Sequence, residues 1–496
     1  MLYIGADLGT SSIKLLLMDR EGNVKKIVSR EYPLMFPKSG WSEQNPADWW
    51  EQTISGLWEL TEGVDKKSIG GISFGGQMHG LVLLDKNDEV IRPAILWNDG
   101  RSEAEAEYLN HKIGRDKLTD FTGNIAFAGF TAPKILWVKK HEPENFRKIA
   151  KILLPKDYIA YKLSGVYSTD YSDASGTLFL DVKNRCWSQE MLEICGISTE
   201  MLPMLYESYE PVGRILPEVA KMLGFSEKCV IAAGAGDNAA AAVGTGTVGM
   251  DAEGFGKCNL SLGTSGTIFI TNARFRVDTY NALHSFAHAD GAHHLMGCIL
   301  SAASCNKWWM EKILGSMDFD GEQEKIKNLG DNHVYFLPYL MGERSPHNDP
   351  YAKGAFIGMT MDSTRTDMVQ AVLEGVAFAL RDCLEAAKSI GISIGQATIC
   401  GGGAKSQLWK RIIANVFDMK IYTVKIEEGP SYGAAILAAV ACHEYDSIED
   451  AVRNIVRRVS YVQPDRELVS KYNKRYQTFR QIYPALRDIW QSEKEE

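Results

Sequence analysis

The chain has 496 residues, which is longer than a domain with a single hydrophobic core usually is, so we expect two or more domains. A formal net charge of −9 at pH 7 disfavours a nucleic-acid or anionic-membrane partner. No apolar run reaches the roughly 18–20 residues that span a bilayer. Nine cysteines without a C-x-x-C pair, and an N-terminus without a basic leader, predict a reducing, cytoplasmic location and no zinc site.

Residues 3–19 read as two apolar strands around a tight polar turn, which predicts a hairpin. The turn brings together Asp7, Gly9, Thr10 and Ser11. Glycine lets a ligand approach the backbone closely, and successive N–H groups in such a turn form an anion-binding nest. Asp7 ends the first strand, where it could hold a cation beside that anion. An ordinary turn explains this stretch alone equally well, since these residue types are common in turns.

The pattern recurs half a chain later, over residues 261–267. Apolar strands over 258–262 and 267–270 flank a turn that contains Gly263 and Thr264. Two copies indicate a duplicated architecture with a phosphate-binding hairpin in each half. The second copy has Ser261 where the first copy has Asp7. The two turns together therefore carry one acidic residue, which would suit a single metal-bound phosphate chain. We place the domain boundary after residue 248, giving domains 1–248 and 249–496.

Strands alternate with helices in both halves, which predicts α/β sheets. Residues 113–225 read as an elaboration that builds one wall of a pocket. In the first half, strands are predicted over 24–32, 69–74, 81–84, 94–97 and 229–233, with helices over 46–60, 103–112 and from 239. In the second half, strands are predicted over 293–298 and 397–400, with helices over 303–313, 365–389 and 405–417, another after 429–430, and a surface helix over 467–491.

Three glycines over 401–403, between a strand and a helix, predict a nucleotide contact at Gly402 and Gly403. A tight strand-to-helix turn is the alternative. The chain lacks G-x-x-x-x-G-K-S/T, which excludes a P-loop NTPase, and lacks G-x-G-x-x-G near its N-terminus. A nucleotide would therefore be bound by the two hairpins and the triple glycine.

Asp237 is the strongest candidate for a general base. It follows an apolar strand and a Gly-x-Gly and precedes an alanine-rich helix, so its carboxylate is expected at a crevice near a helix N-terminus. A carboxylate there can accept the proton of a substrate hydroxyl. Helix capping is the alternative for Asp237, and Asn238 could take that role instead.

Gln77, Met78 and His79 follow another strand between glycines and offer the donors and acceptors that a polyhydroxylated ligand needs. A structural histidine is the alternative for His79. Residues 98–101 have a similar place in the chain, and the alternative for them is a turn followed by the start of a helix. The loop with Arg344, His347 and Asp349 favours a structural or interdomain role. For Lys14 the sequence leaves two alternatives, a contact with phosphate and an exposed position on the strand.

The chain resembles the FGGY family of carbohydrate kinases over nearly its whole length. This resemblance implies two actin-like (ribonuclease H-like) ATPase domains around a central cleft. The residues that carry it are Ile4 to Ser11, Trp41 to Gln44, Gly76 to Gly80, Ile95 to Arg101, Gly129 to Trp137, Leu154 to Tyr158, Gly236 to Ala240, Ser261 to Gly266, Leu337 to Arg344 and Gly401 to Ala404.

The resemblance further implies that Asp237 is the catalytic base and that Asp7 lies at the metal and phosphate site. It implies that Met78 and His79 contact the sugar, and we expect Gln77 and Asn238 to bind the substrate with them. Glycerol kinases carry Arg-Glu where this chain has Met-His, which favours a ketopentose over glycerol. We therefore expect ATP and Mg²⁺ to serve the phosphorylation of D-xylulose at its terminal hydroxyl.

Two alternatives are a kinase for another ketopentose or polyol, such as ribulose or glycerol, and a non-catalytic actin-like nucleotide switch. One departure from the family pattern, Ser406-Gln407 where relatives often have Asn-Ser, weakens the assignment of adenine contacts. A homodimer is compatible with the sequence.

Overall fold

The computed structural model describes residues 1–280 and 282–492, which form two seven-stranded mixed sheets. In the first, the spatial order is Pro211–Arg214, Val230–Ala232, Ile69–Gly76, Leu2–Leu8, Ser12–Asp19 and Val24–Glu31, with Ala235–Gly236 also paired to Ile69–Gly76. In the second, the order is His284–Ala287, His293–Ile299, Gly266–Asn272, Gly256–Leu262, Ile394–Cys400, Lys420–Val424 and Arg458–Val462.

The two sheets repeat one pairing pattern. Leu2–Leu8 pairs antiparallel with the strand that follows it and parallel with Ile69–Gly76. Gly256–Leu262 does the same with its following strand and with Ile394–Cys400. On one side of each sheet, a further antiparallel strand pairs with the second strand of the hairpin. On the other side, two parallel strands are followed by an antiparallel strand at the edge. The predicted pair of related α/β domains is confirmed.

Helices cover the sheets, because the central parallel strands are apolar on both faces and every residue of Ile69–Gly76 is buried. The α-helices of the first half are Pro46–Leu60, Glu103–Tyr108, Arg115–Thr122, Thr131–His141, Pro143–Lys148, Pro155–Ser164, Tyr171–Ala174, Gln189–Cys195, Pro217–Leu223 and Asp237–Gly244. Those of the second half are Ala303–Trp308, Phe319–Glu324, Arg365–Ser389, Gln407–Phe417, Gly429–Ala441, Ile448–Ile455 and Arg466–Ser492. No helix in the described part of the chain is long and apolar enough to span a membrane.

Two predicted helices differ from the structure. Gly402–Lys405 forms a 3₁₀ turn, and the α-helix begins at Gln407 because Ser406 Oγ accepts a hydrogen bond from Trp409 N at 3.0 Å. The C-terminal helix Arg466–Ser492 is not confined to the surface. Its aromatic side chains recur at spacings of three and four residues and are buried in the core of the second half; they include Tyr472, Tyr476 and Phe479.

The short strand pairs are Glu43–Gln44 with Ala94–Ile95, Val82–Leu84 with Lys151–Leu153, Ser168–Asp170 with Met204–Tyr206, Leu180–Asp181 with Cys186–Trp187, and Tyr335–Leu337 with Ala355–Ile357. The strand predicted over 94–97 is therefore shorter than expected. These pairs belong to the insertions around the two large sheets. The proposed boundary after residue 248 remains a prediction.

The halves meet where the helices Asp237–Gly244 and Gly429–Ala441 cross. A Cβ atom on Gly433 would lie 1.8 Å from the carbonyl oxygen of Ala240, and one on Gly244 would lie 2.2 Å from that of Gly429. Only glycine permits this contact between the two backbones. The crossing places the N-terminus of each helix beside the first hairpin, where the candidate site lies.

Candidate active site

The first hairpin turn is held by surrounding side chains. Gly9 N donates to Ser12 O at 3.0 Å within the turn. Gln44 Nε2 donates to Thr10 O at 2.6 Å, and Trp97 Nε1 donates to Thr10 Oγ1 at 2.9 Å. Ser11, at the tip of the turn, is exposed. The turn is thus fixed by these contacts and presents its tip to solvent, as a phosphate-binding turn must.

The second hairpin turn lies beside the triple glycine. Gly401 has φ of +88°, and a Cβ atom there would lie 2.7 Å from the carbonyl oxygen of Leu262, which ends the preceding strand of the hairpin. Beyond it, a Cβ atom on Gly402 would meet nothing within 4 Å. The structure therefore brings Gly263 and Thr264 to the same edge of the second sheet as Gly402 and Gly403.

Asp237 is the first residue of its helix and is half-buried. Its Oδ1 atom accepts hydrogen bonds from Asn238 N at 2.7 Å and from Asn238 Nδ2 at 2.9 Å. Burial raises the pKa of Asp237 to about 6, and these hydrogen bonds oppose the rise. A carboxylate whose pKa lies near neutrality is suited to general-base catalysis. Capping by Asn238 is not observed, because Gly236 holds the N-cap position and the Asn238 amide binds Asp237 instead.

Asp7 is half-buried at the end of its strand, and burial raises its pKa to about 7. The negative charge of Asp237 raises that pKa further, as does Glu428, while the ammonium group of Lys14 lowers it. Lys14 stands opposite Asp7 in the hairpin, and its Nζ lies 2.7 Å from Glu428 Oε2. Lys14 is therefore paired with Glu428 on the strand, and it can contact a phosphate only if this ion pair opens.

The same group of charges bears on metal binding. Two carboxylates, Asp7 and Asp237, interact closely enough for the charge of Asp237 to raise the pKa of Asp7, and a cation bound at Asp7 would relieve this repulsion. Within residues 1–280 and 282–492, no three or more His, Cys, Asp or Glu side chains are arranged to hold a metal ion. Mg²⁺ is commonly held by one or two carboxylates together with substrate phosphates and water, and Asp7 could supply such a carboxylate.

The turn after Ile69–Gly76 lies beside both carboxylates. Gln77 N donates to Leu8 O at 2.8 Å, next to Asp7, and Met78 packs so closely on Gly236 that a Cβ atom there would lie 3.0 Å from the Met78 sulfur. Gln77 Nε2 donates to Gln44 Oε1 at 3.1 Å. Its Oε1 atom is buried and has no hydrogen-bond partner among the described residues. An orphaned buried acceptor is what a ligand hydroxyl would satisfy.

His79 is a buried neutral imidazole. Burial lowers its pKa to about 3, and Nδ1 lies 2.7 Å from the Gly176 carbonyl oxygen. Because a carbonyl only accepts, Nδ1 carries the proton and Nε2 is left as an acceptor. The ring stacks on Phe130 with 4.5 Å between centroids, and Lys134 Nζ donates to the His79 carbonyl oxygen at 2.9 Å. These contacts set the direction in which Nε2 points.

Two residues that hold the first turn, Gln44 and Trp97, were not predicted as site residues. Both lie in stretches that carry the family resemblance, which was the available signal. Asp99 accepts from Ser42 N at 2.5 Å and pairs with Arg101 Nη2 at 2.7 Å, with both of those charged side chains fully buried. Residues 98–101 thus form a structural turn that carries Trp97 to Thr10.

The loop from Gly342 to Asp349 is interdomain and structural in its contacts. The Arg344 guanidinium lies 5.5 Å from the ring centroid of Phe127 in the first half. The His347 ring stacks on Tyr483 at 3.6 Å, and Asp349 Oδ2 accepts from the Tyr483 hydroxyl at 2.9 Å. These contacts agree with the role expected from the sequence.

Comparison with known proteins adds the family. The N-terminal domain of the FGGY family of carbohydrate kinases matches residues 2–244, and its C-terminal domain matches residues 258–442. The chain belongs to the FGGY family of carbohydrate kinases. It is 41% identical over 495 residues to a xylulose kinase of Escherichia coli (strain K12), covering 98% of this chain and 99% of that protein. Identity to a xylulose kinase of Bacillus subtilis (strain 168) is 39% over 491 residues, covering 98% and 97%.

Solved structures agree with this family. The crystal structure of a xyloylose kinase from Brucella ovis is 40% identical with a TM-score of 0.93, and the match covers 99% of this chain and 100% of that one. The crystal structure of Plasmodium falciparum glycerol kinase with ADP is 23% identical with a TM-score of 0.86, covering 96% and 98%, and shows the shared fold. The predicted family and the two-domain, actin-like fold are confirmed, and the chain is a sugar kinase.

Proposed function

We propose that this enzyme transfers the γ-phosphoryl group of ATP to the terminal hydroxyl of D-xylulose, giving D-xylulose 5-phosphate and ADP. The observation that carries the proposal is a carboxylate with a pKa of about 6, Asp237, beside both a buried polar turn and the first hairpin. The similarity to xylulose kinases over nearly the whole chain supports the choice of sugar.

In this mechanism Asp237 is the general base. Its Oδ1 atom is occupied by Asn238, so the second carboxylate oxygen is the one that would accept the proton of the sugar hydroxyl. As that hydroxyl attacks the γ-phosphorus, negative charge develops on the transferred group. Helix N-termini and the N–H groups of turns stabilise such negative charge. The mechanism therefore requires the base and both hairpins to lie at one cleft.

The phosphate chain would lie between the two turns. Gly9, Thr10 and Ser11 would contact it from the first half, and Gly263 and Thr264 from the second, with Gly402 and Gly403 on the nucleoside side. Asp7 would hold Mg²⁺, directly or through water. The bound metal supplies charge neutralisation for the phosphates. Lys14 can join this group once its ion pair with Glu428 opens.

The sugar would bind at the turn after Ile69–Gly76. Gln77 Oε1 and His79 Nε2 are acceptors that two hydroxyl groups can satisfy, and Met78 supplies an apolar contact. Asn238 would contact the hydroxyl that reacts, because its amide already lies on Asp237. This chain has Met78-His79 where glycerol kinases carry Arg-Glu, and that difference argues against glycerol as the substrate.

A panel of ketopentoses and polyols, assayed for sugar-dependent ADP release, tests the proposal. We expect the highest kcat/KM for D-xylulose. A higher kcat/KM for ribulose or glycerol would make that compound the substrate instead of D-xylulose. ADP release that no sugar stimulates would refute phosphoryl transfer to sugar. A cytoplasmic location and a homodimer remain predictions.

A further inference from the structure

Lys156 is a fully buried cation in the N-terminal half that none of the proposed steps uses. It lies in the first turn of the helix Pro155–Ser164, in a stretch that carries the family resemblance. Its Nζ atom lies 2.6 Å from Asp157 Oδ1 and 3.0 Å from Asp170 Oδ1, and all three side chains are buried. Because desolvation offsets the attraction within a buried ion pair, such a group is weak evidence for stability. Its role is better sought in what it contacts.

Asp170 connects this buried group to the chain just before the base. Asp170 Oδ2 accepts hydrogen bonds from Ser172 N at 2.8 Å and from Ser172 Oγ at 2.5 Å. Since the Ser172 hydroxyl gives its proton to Asp170, its oxygen can accept another hydrogen bond, and it accepts one from Gly236 N at 3.1 Å. Gly236 directly precedes Asp237. The contacts therefore run from Lys156 to the backbone beside the proposed base.

The lysine also contacts the strand that carries the sugar turn. A Cβ atom on Gly76 would lie 2.6 Å from Lys156 Cβ, so the stem of the lysine packs directly on the residue before Gln77. Lys156 Nζ also donates to the Ala233 carbonyl oxygen at 3.4 Å, in the segment that leads to Gly236. One buried side chain thus contacts both the segment that precedes Gln77 and the segment that leads to Asp237.

We propose that Lys156, Asp170 and Ser172 form a positioning network that holds Asp237 in the geometry for taking the proton from the sugar hydroxyl. The inference rests on the role proposed above for Asp237. Catalytic geometry is sensitive to small displacements, and a shift of about 1 Å can cost roughly 10²-fold in rate. The network acts on the transfer step, because none of its three side chains is among the residues proposed to bind sugar or nucleotide.

The test compares two serine-to-alanine variants of the full chain. Ser172→Ala removes the acceptor of Gly236 N. Ser208→Ala is the matched control, because Ser208 Oγ also donates to Asp170 Oδ2, at 2.7 Å, and both serines are buried. We expect Ser172→Ala to lower kcat by about 10–100-fold with KM for D-xylulose and for ATP within about twofold. Ser208→Ala should retain its kcat once rates are referred to the folded fraction, measured by thermal unfolding.

Equal losses of kcat in the two variants, or a change confined to KM, would overturn the proposal. If Ser172→Ala does not fold, Ser172→Cys keeps a weaker acceptor of similar size. It should then give a reduced kcat, whereas an unchanged kcat would count against the network. An Asp237→Asn variant with full kcat would refute the base itself. An inactive Asp237→Asn beside a fully active Ser172→Ala would refute the positioning network alone.

Discussion

Replacing Asp237 with asparagine removes the proposed base with the smallest change of shape. The amide oxygen of the new side chain can still accept from Asn238 N, so the hydrogen bond that anchors the side chain is retained. With a pKa of about 6, most Asp237 side chains are ionised at pH 7.5, as the proposed general base requires.

The loss expected from Asp237→Asn is about 10²–10⁴-fold in kcat, the usual contribution of a general base. This range corresponds to roughly 3–5.5 kcal/mol of transition-state stabilisation. KM for ATP should change little, because Asp237 is proposed to contact the sugar and not the nucleotide. The assay is sugar-dependent ADP release at saturating D-xylulose and ATP, with thermal unfolding as a check that the variant folds.

Asp251→Asn is the matched control for this change. Asp251 Oδ1 accepts backbone hydrogen bonds from Glu253 at 3.1 Å and Phe255 at 2.8 Å, so its carboxylate is anchored much as that of Asp237 is, but it lies in the segment that joins the halves. We expect full activity from it. A folded Asp237→Asn variant with kcat within threefold of wild type would refute the assignment of the base.

Four further predictions concern the pH profile, His79, Gly433 and Gly402. The kcat/KM for D-xylulose should fall about tenfold per pH unit below about pH 6, because Asp237 must be ionised to act, and a pH-rate profile that stays flat to pH 5 would contradict this. His79→Ala should raise KM for the sugar by at least tenfold and leave KM for ATP unchanged in steady-state kinetics; equal increases in both would argue for a structural histidine. Gly433→Ala should destabilise the protein by about 1–3 kcal/mol in urea unfolding, because its Cβ would meet the Ala240 carbonyl oxygen. Gly402→Ala, with open space around it, should keep the stability and raise KM for ATP; the reverse pattern would contradict the assignment of both glycines.

The elements of the fold that repeat could be predicted from the sequence. Both hairpins combine alternating apolar strands with a turn of Gly, Thr and Ser, and the signal is local because the residues that form each turn are adjacent in the chain. The position of Asp237, the proposed base, could also be predicted, since it follows a buried strand and opens an alanine-rich helix. Its half-burial and raised pKa support the role proposed for it.

Contacts between distant segments could not be predicted. Lys14 and Glu428 are 414 positions apart, and nothing near either residue indicates that the helix Gly429–Ala441 packs on the sheet of the other half. The burial of the C-terminal helix was missed for a related reason. Its sequence is polar on average, and only the spacing of Tyr472, Tyr476 and Phe479 marks the side that joins the core.

A crystal structure with D-xylulose and a non-hydrolysable ATP analogue tests the central claim most directly. The account predicts that a carboxylate oxygen of Asp237 lies about 2.6–3.2 Å from the terminal hydroxyl of the sugar. It also predicts that the phosphates lie between the turn at Gly9 and the turn at Gly263. A sugar bound with that hydroxyl away from Asp237, or phosphates that contact neither turn, would contradict the account.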